Sequence, residues 1–551
     1  MGASPDDPSN EKLFDLLKSL EERIARIESH LDIQPASAGD RAEPETQAVA
    51  AEDDEALELQ LGQNWFAKAG IVGLALGIAF LLTLPYNGLP TYLPCALGYG
   101  LVAVIFFFSN YWKESFQQVS RYLLGGGLLL LYFTTLRLSY FSSSPALSNT
   151  SLEDGLLLLV VAVSYLVTVR RKSIYLASIS LVLGCLTALL AGDTFTVLSL
   201  LTALSVATAL LTLRFGWNAH LTLGIGVTFL THLLWTANNP LLGNPVQFGL
   251  TPQPHLLFLL IYAVVFASAM LFREKNIPEN APFILTSFLN GLLAFGVFVV
   301  STLVGSNFTV AVWNTFASVV FLALSVLFWI RQRSIYATFV YAMVGYAALS
   351  VAIVAQFPMP DFFVWLCWQS ILVVSTAVWF RSRFIIVANF VIYLVIFIAY
   401  LVTAATVSTV SVSFGVVALI SARILNWQRD RLVLKTELMR NAYLASALLF
   451  LPYALYHSVP ARFISVSWLI LALFYYIAGR MLNSRKYRWM ALLTMSLTVL
   501  YVFIVDLTAV DPAVRIVSFL VLGTALLAIS MFYSRKKRKS ADDAMNTPLP
   551  R

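Results

Sequence analysis

The run Trp65–Leu84, WFAKAGIVGLALGIAFLLTL, is long enough to cross a bilayer as a helix. About 20 residues at about 1.5 Å each cover a hydrocarbon core roughly 30 Å thick. The same alternation of apolar span and short polar loop then repeats through residue 533. Charged residues make up only 12% of the 551 positions, against about 25% in soluble proteins. With a mean hydropathy of +0.78, the chain lacks the polar residues that a water-facing surface needs. Lipid is therefore the expected solvent for most side chains. In lipid a backbone has no water to bond, so spans are helices or closed barrels. Barrel strands alternate polar and apolar at every second residue; these runs are continuous. The expected fold class is all-α: a polytopic transmembrane helix bundle of about 18 spans with a short N-terminal cytoplasmic coiled-coil-like helix.

Four regions follow: 1–32, a cytoplasmic heptad helix; 33–60, a disordered acidic linker; 61–534, the multi-span domain; and 535–551, a basic cytoplasmic tail. In the first, Leu13, Leu17, Leu20, Ile24, Ile27 and Leu31 are spaced 4, 3, 4, 3, 4, a heptad seam. Ser9 is placed to cap this helix, with Glu11 in its first turn. In a parallel dimer Arg23 would face Glu28 of the second copy. Two readings stand for residues 9–32: self-association, or an amphipathic helix lying on the membrane or on a protein partner. The linker is rich in Ala, Pro and acids and ends in Ala51-Glu52-Asp53-Asp54-Glu55, a composition that predicts disorder. No basic n-region followed by an apolar core precedes Trp65, so no secretory signal is expected.

The expected spans are 65–84, 91–109, 122–140, 154–169, 174–191, 194–213, 217–237, 255–272, 282–304, 309–330, 335–355, 361–380, 383–404, 410–427, 440–457, 462–479, 488–507 and 514–533. Cytoplasmic loops carry the excess of Lys and Arg. With the N-terminus inside, 33 of the 36 Lys and Arg fall on the cytoplasmic side; the exceptions are Arg137, Arg462 and Arg515, each at a span end. One span more or fewer would invert every later loop and erase that bias. The pattern predicts an even span count with both termini in the cytoplasm, in a bacterial cytoplasmic (inner) membrane. The longest outer loop, roughly 238–253, is uncharged and rich in Pro, Asn and Gly. The longest inner loop, Asn426–Met439, reads as an interfacial helix with Trp427 toward lipid and Arg429, Arg431 and Lys435 toward headgroups. Arg170–Tyr175 (RRKSIY) and Arg331–Tyr336 (RQRSIY) echo each other six spans apart, an offset that would suit a parallel duplication.

The net charge of +7 is dispersed among loops rather than gathered on one face, so nucleic acid is not an expected partner. The lipid bilayer is. Cys95, Cys185 and Cys367 fall inside spans and read as free thiols. There is no Walker loop, zinc signature, nucleophile elbow or dinucleotide fingerprint, so no catalytic, metal-binding or cofactor-binding residue is assigned. Charges deep in spans would mark ion or proton paths, but Lys68, Arg137, Arg423 and Asp506 all lie near span ends. The polar residues nearest the midplane are His232, Asn290 and Gln369, candidates to line a polar cavity or to bond between helices. His220 lies about 18 Å along the helix from His232, too far to share a metal. Asn290-Gly291 could break its helix, as in transporters, or pack against a neighbour. Ala69, Gly73 and Gly77 lie four apart on one face of the first span and suit close helix packing; Gly125-Gly126-Gly127 offers a similar groove or a kink.

The opening Gly62-Gln63-Asn64-Trp65-Phe66-Ala67-Lys68-Ala69-Gly70-Ile71, followed by Gly77-Ile78-Ala79-Phe80-Leu81-Leu82, resembles that of an uncharacterised bacterial family of polytopic membrane proteins, domain of unknown function 2339. The arm, linker and many spans resemble that family's architecture along nearly the whole chain. After the first span that family often has a basic residue and an aromatic; here the run is Thr83-Leu84-Pro85-Tyr86-Asn87. The resemblance implies an integral membrane protein and brings no activity with it. Three function classes are thus expected in order: a structural or interaction protein using residues 9–32; a transporter or flippase of neutral or amphiphilic molecules; and a membrane-embedded enzyme on lipid-linked substrates, for which the outer-side acids are Glu153 and Asp154 at the fourth span and Asp506 and Asp511 flanking the last outer loop.

Overall fold

The computed structural model describes residues 92–139, 150–249, 254–273, 279–304, 306–403, 410–427 and 437–506, with isolated positions 77, 147, 520, 523 and 524. Among these the long elements are all helices: α1 (Tyr92–Tyr111), α2 (Gln117–Leu136), α3 (Thr150–Arg171), α4 (Ile174–Leu190), α5 (Thr194–Phe215), α6 (Asn218–Thr236), α7 (His255–Leu271), α8 (Ala281–Thr302), α9 (Asn307–Arg331), α10 (Ile335–Gln356), α11 (Asp361–Trp379), α12 (Arg383–Thr403), α13 (Val410–Trp427), α14 (Glu437–Ser458), α15 (Ile464–Met481) and α16 (Arg485–Tyr501). Each falls on one of the expected spans from 91–109 to 488–507. Thirteen candidate spans among the described residues are long and apolar enough to cross a membrane; α4 and α7 are apolar but have 17 residues each. The heptad arm, the linker, the basic tail, Lys68, and positions Ala69 and Gly73 lie outside the described residues. So do the first and last expected spans, apart from Gly77, Leu520, Gly523 and Thr524, and positions 428–436 of the interfacial loop.

Helix ends follow local chemistry. Asp193 accepts from the Thr196 amide at 3.0 Å and so separates α4 from α5 across a very short turn. Asn280, Ser306 and Ser334 cap α8, α9 and α10 in the same way, satisfying amides that the first turn leaves unpaired. α2 begins at Gln117, five residues earlier than the apolar run suggests, because its polar first turn is held from outside. Ser120 donates to the Ser109 carbonyl at 2.6 Å and Ser109 donates to the Ser120 carbonyl at 2.9 Å.

The echo between Arg170–Tyr175 and Arg331–Tyr336 has a local cause. Lys172 (φ 47°) and Arg333 (φ 54°) are left-handed, each followed by a serine that opens the next helix. Arg381-Ser382 and Asn483-Ser484 repeat the arrangement, with Arg381 at φ 52° and Asn483 at φ 46°. At the latter two, the serine amide donates back to a carbonyl five residues earlier, which closes a helix end through a left-handed residue. The resemblance is that of one tight turn used four times.

The chain divides into two compact units, residues 1–156 and 157–551. In the first, α1 and α2 pack through Val102 and Leu130, and Tyr99 and Thr135 hydroxyls meet at 3.1 Å. The three glycines Gly125–Gly127 lie buried in an unbroken α2, where Gly127 faces the Phe106 ring; they form a packing groove, not a kink. In the second unit α4, α6, α8 and α10 contact one another in that order, although they are not consecutive, and α9–α10 is the most extensive pair. An aromatic core runs through α10–α16, with Phe397 stacked on Phe450 at 3.7 Å and Tyr393 lying 5.8 Å from both Phe414 and Tyr443.

Polarity within this second unit is inverted relative to a soluble protein. Ser205, Ser287, Asn290, Asn314 and Ser325 have no exposed surface, while Leu210, Val319, Leu449 and Ile470 are at least 60% exposed. In water each such aliphatic side chain would forgo about 1.5–3 kcal/mol of burial. Against acyl chains the cost vanishes, and small polar residues between helices become the useful ones.

Candidate functional site

The polar residues of the second unit are the natural place to seek a site, because each costs free energy in hydrocarbon unless bonded. His232 on α6 is fully buried and meets His255, the first residue of α7, with Nε2 3.1 Å from Nδ1. One of the two nitrogens carries the hydrogen and the other accepts it. Trp235 and Tyr262 stand edge-on to the His232 ring at 5.5 and 5.8 Å. His220 is separate: its Nδ1 is 3.5 Å from the Ser178 hydroxyl and Trp217 meets its ring edge-on.

Asn290 donates through Nδ2 to the Ala263 carbonyl at 3.0 Å and to the Tyr341 hydroxyl at 2.8 Å, tying α8 to α7 and α10. α8 is continuous across Asn290-Gly291, and Gly291 faces Val340; the pair packs and does not break the helix. Gln369 on α11 donates to the Tyr346 carbonyl at 2.8 Å and accepts from Ser350 at 3.2 Å, both on α10. The structure therefore holds the three residues in three different helix pairings, and it places His232 in the last turns of α6, near the helix end rather than its middle. His232 Nδ1 and Asn290 Oδ1 have no partner among the described residues.

Two further polar ties escaped the sequence reading. Asn389 on α12 donates to the Ser370 hydroxyl at 2.8 Å and the Tyr443 hydroxyl at 2.9 Å, joining α11, α12 and α14. Asn314 on α9 donates to Thr302 on α8 at 3.2 Å. The signal was present, since each is an asparagine within an apolar run, but which partner it meets depends on how non-consecutive helices pack. His255 was missed as the partner of His232 for a related reason: the two stand at facing ends of helices joined by a long loop.

Of the acids expected on the outer side, Glu153 is buried in its unit and Asp154 is partly exposed, both in the first turns of α3. Gly77 is helical and exposed, with open space where a Cβ would stand. Cys95, Cys185 and Cys367 are free and buried, and no group of three or more His, Cys, Asp or Glu is placed to hold a metal among the described residues.

Two hollows have distinct character. One, about 430 Å³, is a wide apolar groove between the first turns of α9 and the last turns of α10, lined by Ala311, Val312, Thr315, Leu349 and Ile353. The other, about 30 Å³, is polar and basic. It lies where the end of α13, the start of α14 and the α15–α16 turn converge, and it is lined by Arg423, Asn426, Arg440, Ser484, Lys486 and Tyr487, among others. Arg440 donates Nη1 to Asn426 Oδ1 and Nη2 to Glu437 at 3.1 Å. Lys486 donates to Asn441 at 2.6 Å.

Residues 455–536 match the family model for predicted membrane protein (DUF2339). The match lies at the opposite end of the chain from the residues that carry the resemblance noted above, and it supports that resemblance independently. It takes in the last turn of α14, all of α15 and α16, and thus Ser484, Lys486 and Tyr487 of the basic cleft. No curated protein and no solved structure matches the chain. The family description states membrane residence and no reaction, in keeping with a chain of many apolar helices.

Proposed function

We propose that this chain is a structural or interaction protein of the bacterial inner membrane. In this reading about 18 spans anchor it, both termini lie in the cytoplasm, and the heptad arm at 9–32 is its contact element. The observation that carries the reading is the use made of the polar groups buried within the helices. His232, Asn290, Gln369, Asn314 and Asn389 all bond across helix boundaries, so they serve cohesion of the bundle. The ends of the described helices support the orientation: Arg170 and Arg171 close α3, Arg214 closes α5, Arg331 closes α9 and Arg480 closes α15. Arg331 and Gln332 also donate to the Leu271 carbonyl at 3.1 and 2.7 Å, capping α7 from the same side.

Two experiments test this reading. Reporter fusions are expected to place residue 245 outside and residue 537 inside; both on one side would overturn the threading. For the arm, light scattering in one detergent should give a higher subunit number for the full chain than for a chain lacking residues 1–60. Equal masses, with both bundles folded, would remove self-association through residues 9–32.

A further inference from the structure

We propose that the basic cleft between α13, α14 and the α15–α16 turn binds a phosphate group, supplied by an anionic lipid of the cytoplasmic leaflet. Three cations from three separate helices line it: Arg423 on α13, Arg440 on α14 and Lys486 on α16. Glu437 is bonded to Arg440, and its side chain is 58% exposed. Like charges gathered around one cleft repel, and a bound anion relieves that repulsion. The donors suit a phosphate in number and kind, since a guanidinium and an ammonium are joined by the hydroxyls of Ser484 and Tyr487 and the amide of Asn426. Arg440 Nε is buried and finds no acceptor among the described residues, an unfilled donor on a cleft-lining side chain. The space, about 30 Å³, exceeds the roughly 10–15 Å³ that seats one water. It takes the terminal group of a ligand and leaves the remainder outside.

The height of the cleft selects lipid as the source. Trp427, at the last residue of α13, is 76% exposed, and Trp489, in the first turns of α16, is 64% exposed. Exposed tryptophan on a membrane helix marks the headgroup level. The cleft therefore opens where lipid phosphates lie, on the side that carries the excess of basic residues. Basic pockets between helices on that side are suited to anionic headgroups. This inference stands apart from the reading of the N-terminal arm and survives its failure.

The full chain, in nanodiscs containing phosphatidylglycerol or phosphatidylcholine alone, provides the test. Native mass spectrometry should show phosphatidylglycerol retained in preference to phosphatidylcholine. The double variant Arg423→Gln with Lys486→Gln should lower that retention about tenfold. Arg423→Lys with Lys486→Arg should restore it, and Arg170→Gln at another basic turn should leave it unchanged. Melting temperatures equal to wild type would separate loss of binding from loss of fold. Titration with inorganic phosphate in phosphatidylcholine nanodiscs separates the sources. Saturable binding that the double variant loses upholds a phosphate site and assigns it to a soluble anion. No saturation, together with phosphatidylglycerol retention, upholds the site and assigns it to lipid. Equal retention of the two lipids with no phosphate binding, or a double variant that binds like wild type, overturns the proposal.

Discussion

Replacing Gly345 by leucine is expected to destabilise the bundle by about 1–3 kcal/mol or more. A Cβ on Gly345 would stand 2.8 Å from Leu322 Cγ and 3.1 Å from the Leu322 backbone nitrogen. The side chain of Leu322 can turn aside, but its backbone cannot, so α9 and α10 must separate. That pair is the most extensive helix contact in the second unit, and separating it forfeits dispersion contacts along its length. Gly296 on α8 is the control: it is exposed, with no atom within 4 Å of the place a Cβ would take, so Gly296→Leu should stay within about 0.5 kcal/mol of wild type. Thermal unfolding in one detergent reads both. A Gly345→Leu protein as stable as wild type would show that the two backbones do not approach this closely.

Asn389→Leu is the second large effect. The wild-type amide donates to Ser370 and to Tyr443, and Tyr443 is fully buried. Leucine is similar in size and makes neither bond, so the Tyr443 hydroxyl loses a donor in a low-dielectric interior. The expected cost is about 1–3 kcal/mol. A double-mutant cycle with Tyr443→Phe should return a coupling of about 0.6–2 kcal/mol. Additivity of the two substitutions would mean that the Asn389–Tyr443 bond contributes nothing to stability. In soluble proteins such a cycle competes with water; here the competing partners are other polar groups of the same chain, which keeps the expected coupling modest.

The two predictions concern features of unequal visibility in the sequence. Gly345 sits in an ordinary span, YAMVGYAALS, with nothing in its neighbours to announce a close approach. Asn389 is visible as a polar residue in an apolar run, yet its partners lie 19 residues back on α11 and 54 residues ahead on α14. The same division holds for the basic cleft. Arg423, Arg440 and Lys486 are each legible as loop-end cations, and their convergence is not. His232, Asn290 and Gln369 are legible as polar residues within apolar spans. Their separate placement reflects which helices meet: α6 with the start of α7, α8 with α7 and α10, α10 with α11.

Composition and order alone determined the helical class and the positions of the described helices. These depend on local quantities: the length of an apolar run, the absence of twofold alternation, and the cost of moving a charge across hydrocarbon. Only the tertiary structure decided which polar group bonds to which, which glycines admit a neighbouring backbone, and which basic turns face one another. In lipid every apolar face is equally well solvated, so hydrophobicity does not choose helix partners. That choice falls to shape and to a few hydrogen bonds, and neither is written in the periodicity of any single span.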